Sequence, residues 1–170
     1  MKWIGISGSW KYDFPEIRAD IVREVNDLLD RGDGIVSGNA PGVDYWATEV
    51  ALSRFPDGSR TKICLPTSLR TFIEQIGNTE PDDPEISDET YLEVVGQLLA
   101  LHKVNALICD ETEKIVNTES FHKRNNVVIA LSDELLAFHV NKSGGVQNTI
   151  DHAKAKGIKV RSFEYNYKNK

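Results

Sequence analysis

The chain has little sulfur and no cationic excess. Its 170 residues include two cysteines, Cys64 and Cys109, each inside an apolar, strand-like run. Two isolated thiols exclude a disulfide scaffold and suit a reducing compartment. The four histidines, at 102, 122, 139 and 152, have no zinc-site spacing with those cysteines, so no metal and no cofactor are expected. No apolar run reaches membrane-spanning length and the N-terminus lacks a signal-peptide pattern, so the expected location is the cytoplasm, away from membranes. Twenty basic against twenty-six acidic side chains leave a net charge of −6, which excludes a general nucleic-acid coat but leaves room for a local basic groove. Internal repeats and interdomain linkers are also missing, and one domain spanning residues 1–170 is expected.

What is present is ordinary globular chain, 40% hydrophobic and 27% charged, with acid gathered between Glu80 and Glu93 and base near the C-terminus. Both charge runs read as solvated surface. Strands are expected at residues 3–7, 34–38, 61–65, 106–109, 134–140 and 158–163; the fourth has a helical extension as its rival reading. Helices are expected at 15–31, 43–54, 68–76, 89–102, 119–131 and from 146 to 156. Gly32 and Gly157 stand where helices stop, Asp88 stands where one starts, and residues 77–88 read as a surface loop. The 89–102 helix is expected to bury Tyr91, Val94, Val95, Leu98 and Leu99. Alternating strands and helices, with a nearly continuous apolar run ELLAFHV at 134–140, imply an α/β fold: a Rossmann-like, doubly wound, mainly parallel sheet with helices on both faces.

In such a sheet, ligands bind beyond the C-terminal ends of the strands. Three glycine-bearing turns follow strands directly: Gly8-Ser9, the stretch SGNAPG at 37–42, and Ser143-Gly144-Gly145. After the second, Val43, Trp46, Ala47, Val50 and Ala51 form one helical stripe. Small residues leave the backbone of such turns uncovered, so that N–H groups and helix N-termini can face an anion. Three of them on one edge point to a phosphate-bearing, nucleotide-like ligand.

These turns, in this order and with Arg124-Asn125 ahead of the buried strand, resemble the SLOG superfamily. That group includes the Rossmann-like domain of DNA-processing protein A (DprA/Smf), the YpsA-like and YspA-like proteins, and the LOG phosphoribohydrolases. The matching pieces are GISGSW from Gly5, VSGNAPGVDYWATEVAL from Val36, HKRNNVVIALSDELLAF from His122 and KSGGVQNTIDHAKAKGIKV from Lys142. The S-G-x-A-x-G-x-D turn is closer to the DprA and YpsA-like members than to the LOG enzymes. The resemblance implies that a nucleotide, a nucleotide derivative or single-stranded nucleic acid binds at the strand edge. It implies one wall from Ser7, Gly8 and Ser9, backbone donors from Ser37, Gly38, Asn39 and Gly42, and a phosphate held by Ser143, Gly144 and Gly145, with Thr149 adding a hydroxyl and Lys142 a charge. It also makes a homo-oligomer an expectation, with contacts in the 89–131 region.

Each side chain has two readings. Asp44 either accepts from a ribose or base, or is a carboxylate favoured in a first helical turn. Arg124 either contacts phosphate or ties its helix to a neighbouring loop. Trp10 either stacks on a base or is a lid. His139 reads as a satisfied core histidine and Trp46 as core. The LOG motif P-G-G-x-G-T-x-x-E is met here by SGGVQNTID at 143–151, without the proline or the third glycine and with Asp151 only near the glutamate's place. Catalysis by Asp44 or Asp151, as in a nucleotide N-glycosidase, therefore stands behind binding. The sequence has no nucleophile–base pair, metal cluster or Walker-type loop. The expected partner is a nucleotide-like small molecule, with single-stranded nucleic acid as the alternative.

Overall fold

A computed structural model describes residues 1–11, 13–76 and 87–167 of the chain. Most of the 77–88 loop expectation, and the last three residues of the basic C-terminal run, lie outside the described residues. Six strands alternate with six helices among them: β1 Trp3–Gly8, α1 Pro15–Asp30, β2 Gly34–Ser37, α2 Val43–Arg54, β3 Thr61–Leu65, α3 Leu69–Ile76, α4 Asp88–Lys103, β4 Leu107–Cys109, α5 Thr118–Ala130, β5 Glu134–Val140, α6 Gly144–Ala155 and β6 Lys159–Tyr165. The strands form one parallel sheet in the order β4-β3-β2-β1-β5-β6. The fold is the expected α/β, Rossmann-like one, and 107–109 is a strand paired to β3.

Strand alternation decides which helix goes where. Ile4, Ile6, Ile35, Leu136, Phe138 and Val140 point to one face and pack on Ile17, Ile21, Val25 and Leu28 of α1 and Val43, Trp46, Ala47 and Ala51 of α2. Leu135 and Ala137 point the other way, onto Val146, Ile150 and Ala153 of α6. Val36 and Cys64 meet Val128 of α5 on that same second face. Each fully buried aliphatic side chain in these layers gains about 1.5–3 kcal/mol from leaving water. β5 is buried along six of its seven residues, as a run without polar alternation requires.

Four expectations are corrected. The N-cap of α4 is Ser87, whose hydroxyl accepts from the Thr90 N–H; Asp88 is the first helical residue. The buried stripe of α4 is Val94, Leu98 and Leu101, while Leu99 is 46% exposed. α5 begins earlier than its apolar pattern, because Asn117 and Ser120 exchange a capping box. β6 continues to Tyr165, which is buried and donates to Asp20 at 2.7 Å.

The connections place the cleft. From β1 the chain steps outward through β2, β3 and β4; α5 then carries it back, and β5 enters on the opposite side of β1. The crevice at such a reversal, above the C-terminal strand ends, is where an open α/β sheet leaves room for a ligand.

Candidate functional site

A cleft of about 1130 Å³ opens at this point. It is lined by residues 6–11, at and beyond the end of β1, by Gly38, Ala40, Pro41 and Asp44, by Phe72, Gln75 and Ile76 of α3, and by residues 115–119. Phe121, His122, Arg124, Asn125 and Val128 of α5, and residues 140–146 with Thr149 apart from Lys142, complete it. The three glycine turns thus share one cavity. Of the residues singled out in the sequence, Gly8, Ser9, Gly38, Asp44, Arg124, Ser143, Gly144, Gly145 and Thr149 line it; Asn39, Gly42 and Asp151 do not.

The 38–42 turn is closed by its own helix. Gly8 has no room for a side chain: a Cβ there would lie 2.3 Å from Cγ2 of Val43, so glycine lets α2 start against the end of β1. Gly42 (φ 79°) turns the chain into α2, and Asn39 (φ 54°) also has left-handed backbone. Asp44 is thereby aimed back into the turn. Its Oδ2 accepts from the Gly38 N–H at 3.0 Å, and the Ala40 N–H also donates to it. Of the backbone donors expected to face a ligand, the Gly38 N–H is spent on this carboxylate and the Asn39 N–H lies 3.5 Å from the Ser37 hydroxyl. Burial pushes Asp44 up to about 6, against the opposing pull of Arg124 and the two N–H groups. Asn39 is fully buried, and neither amide atom of its side chain has a hydrogen-bond partner among the described residues.

Arg124 forms the floor. Val128, one turn further along α5, seats the helix on Val36 and Cys64. This points Arg124 under β2, where its Nη1 lies 1.1 Å from the place a Cβ on Gly38 would take. The side chain is 8% exposed and lies 5.5 Å from the Phe121 ring centroid. Its Nε and Nη1 have no hydrogen-bond partner, and it makes no ion pair, among the described residues. Burial lowers its pKa, and the Asp44 carboxylate works against that. A buried guanidinium in this condition favours an incoming anion.

The third turn is open. Asn141 (φ 49°) and Lys142 (φ 54°) make a tight turn closed by the Ser143 N–H donating to the Val140 carbonyl at 3.0 Å. Ser143 begins α6 without a side-chain cap, and its Oγ has no partner among the described residues. A Cβ on Gly144 or Gly145 would meet nothing within 4 Å. The first N–H groups of α6 are orphan donors beside the cavity, at the positive end of the helix dipole. Thr149 donates its hydroxyl to the Gly145 carbonyl at 3.1 Å, within its own helix. His139 Nε2 lies 3.1 Å from the Ser143 carbonyl and Nδ1 3.2 Å from Glu164, the satisfied core position expected of it.

The other candidates fall elsewhere. Asp151 is exposed and accepts from Gln147 of its own helix at 2.8 Å. Lys142 is exposed and outside the lining. Two other cations, not singled out above, are spent on carboxylates: Lys123 pairs with Glu119 and Glu113, and Arg70 with Glu74. The steric fit of Gly38 to Arg124 was missed in the sequence, where nothing local links the two. Among the described residues no three His, Cys, Asp or Glu side chains are grouped to hold a metal, and no helix is long and apolar enough to cross a membrane.

The family model described as DNA recombination-mediator protein A matches residues 4–170. DNA processing protein A from Helicobacter pylori, solved in a study of its single-stranded DNA binding mode, superposes with a TM-score of 0.69 at 24% identity over 95% of this chain and 64% of its own. DNA processing protein A (DprA) from Streptococcus pneumoniae superposes with a TM-score of 0.65 at 15% identity over 95% of this chain and 50% of its own. The chain thus spans half to about two thirds of these structures. No curated protein sequence matches it.

Proposed function

The chain belongs to the DNA recombination-mediator protein A family, and from that premise we propose that it binds single-stranded DNA, with one backbone phosphate in the cleft between Arg124 and the N-terminus of α6. The observation that carries this reading is the buried guanidinium with unpartnered nitrogens on the floor of a 1130 Å³ cavity. The single-stranded DNA binding named for the Helicobacter pylori relative supports it. In this reading Trp10, which lines the cleft, stacks on an adjoining base.

The cations lining the cleft, Lys11 and Arg124, are few. Binding therefore rests on one or two phosphate contacts, and log K falls with log salt with a slope of about −1, well short of a long basic track. That scarcity favours a second reading, a free nucleotide or nucleotide derivative in the same cavity. Catalysis on such a ligand has less support: Asp44 is engaged by Gly38 and Ala40, and Asp151 lies outside the lining.

Fluorescence anisotropy with labelled oligonucleotides, at several salt concentrations and with nucleoside mono- and triphosphates as competitors, tests the proposal. Binding that Arg124→Met lowers about tenfold or more, and that nucleotides displace only at far higher concentration, is expected. Absence of oligonucleotide binding at low salt, with stabilisation by a free nucleotide, selects the second reading; neither response overturns both.

A further inference from the structure

We propose that Tyr167, two residues past the end of β6, is a positioning residue that clasps two walls of the cleft and holds the turn in front of α6. Its effect on affinity rests on the reading that the cleft binds a phosphate-bearing ligand; the clasp stands on contacts alone. The first wall is the 140–143 turn, which leads into the uncapped start of α6. Asn141 and Lys142 both have left-handed backbone there (φ 49° and 54°), which costs a side chain with a Cβ and costs asparagine least. A lysine in that conformation persists where surrounding structure over-determines it. The segment at the end of β6 does so. The Asn141 N–H donates to the Tyr165 carbonyl at 2.8 Å, and the Tyr167 N–H donates to Oδ1 of Asn141 at 2.8 Å.

The same residue reaches a second wall. Its ring stacks on Phe14, with centroids 3.8 Å apart and planes 21° apart, and its hydroxyl donates to Glu16 at 2.9 Å. Phe14 is the N-cap of α1, three residues beyond Lys11 in the cleft lining that also carries Ser9 and Trp10. Behind Tyr167 lies the buried Tyr165, fixed by its bond to Asp20, with its ring parallel to that of Tyr167 at 6.4 Å. Tyr167 thus joins, by backbone on one side and by ring on the other, two stretches that β1 and β5 deliver separately to the cleft. It is half-buried and lies outside every strand and helix, so its loss loosens these two stretches more than the sheet.

Tyr167→Ala, which keeps the two lysines that follow it in sequence, tests this. Hydrogen exchange of the unliganded protein is expected to quicken about tenfold in residues 9–11 and 141–146 and to stay unchanged in β5 and the later turns of α1. Oligonucleotide affinity by anisotropy falls about tenfold, mainly through faster dissociation, because the walls are no longer pre-set. Tyr167→Phe keeps the stack and stays within about threefold of the wild type. Asn141→Gly keeps the left-handed backbone, loses the acceptor and quickens exchange in 141–146 only. Unchanged exchange in Tyr167→Ala overturns the proposal. So does unchanged affinity where the wild type binds, or faster exchange spread evenly over the sheet. Faster exchange at both walls, with no oligonucleotide or nucleotide bound by any form, upholds the clasp and overturns the binding reading instead.

Discussion

The 37–42 and 143–145 turns look alike in sequence and are opposites in the molecule. Each joins a strand of the sheet centre to a helix through small residues. In the first, Asp44 takes the Gly38 and Ala40 N–H groups, and Arg124 fills the space over Gly38. In the second, no side chain caps α6, and its two glycines border open space. One turn is a closed wall beside a buried cation; the other leaves the start of its helix uncovered. A glycine-rich turn marks where backbone is accessible, and the nearest carboxylate decides whether a ligand or the protein uses it.

Asp44 gives the largest expected effect. Its pKa of about 6 means that the folded protein holds this proton more tightly than the unfolded chain. The stability contributed by the proton is present below about pH 4 and is lost as pH rises through 6. Asp44→Asn removes that loss while keeping an acceptor for Gly38, so variant minus wild-type stability grows by up to about 3 kcal/mol between pH 4 and pH 7. Urea unfolding at both pH values measures it, and a constant difference would mean that the turn holds its carboxylate without penalty.

Gly38→Ala comes next. Its Cβ has no place while Arg124 stays, so about 2–3 kcal/mol of stability is lost. In Arg124→Ala the same change is tolerated, a non-additivity that a double-mutant cycle by denaturant melts detects. Additive losses would break the proposed fit of wall to floor.

How much of this was legible in sequence can be said element by element. β5 was legible because a strand buried on both faces has no polar alternation to obscure it. The three turns could be placed on one edge because parallel topology forces them there. Leu99 was misplaced because α4 is apolar on two sides, and spacing alone cannot say which side faces the sheet. Arg124 could be singled out, but its seat could not: contact with Gly38 depends on α5 returning beneath β2, a product of the whole winding order. The role of Asp44 was left open because its reach back to Gly38 depends on the left-handed backbone of Gly42.

Gly144→Pro gives the smallest expected effect and tests the open turn. Ser143 (ψ 133°) already has the extended backbone that precedes proline, and the first helical position makes no internal bond. Stability changes by less than about 0.5 kcal/mol, while loss of one N–H lowers oligonucleotide or nucleotide affinity roughly threefold to tenfold. Calorimetry for the fold and anisotropy for the ligand separate the two. Unchanged affinity would leave Arg124 alone as the anion's partner.

The position of β5 beside β1 also sets a timetable. Ile4 pairs with Glu134 and Gly8 with Phe138, so the walls of the crevice come from distant parts of the chain. The partners of β1 on its other side lie much nearer in sequence, at Gly34 to Val36. Closing the longer loop costs more chain entropy, and contacts of high sequence separation slow folding. On a ribosome the β1–β2 pair has its full sequence early, whereas the cleft waits for β5 to emerge. The cleft is therefore a late feature of each molecule, assembled only once β5 and α6 have joined strands made much earlier.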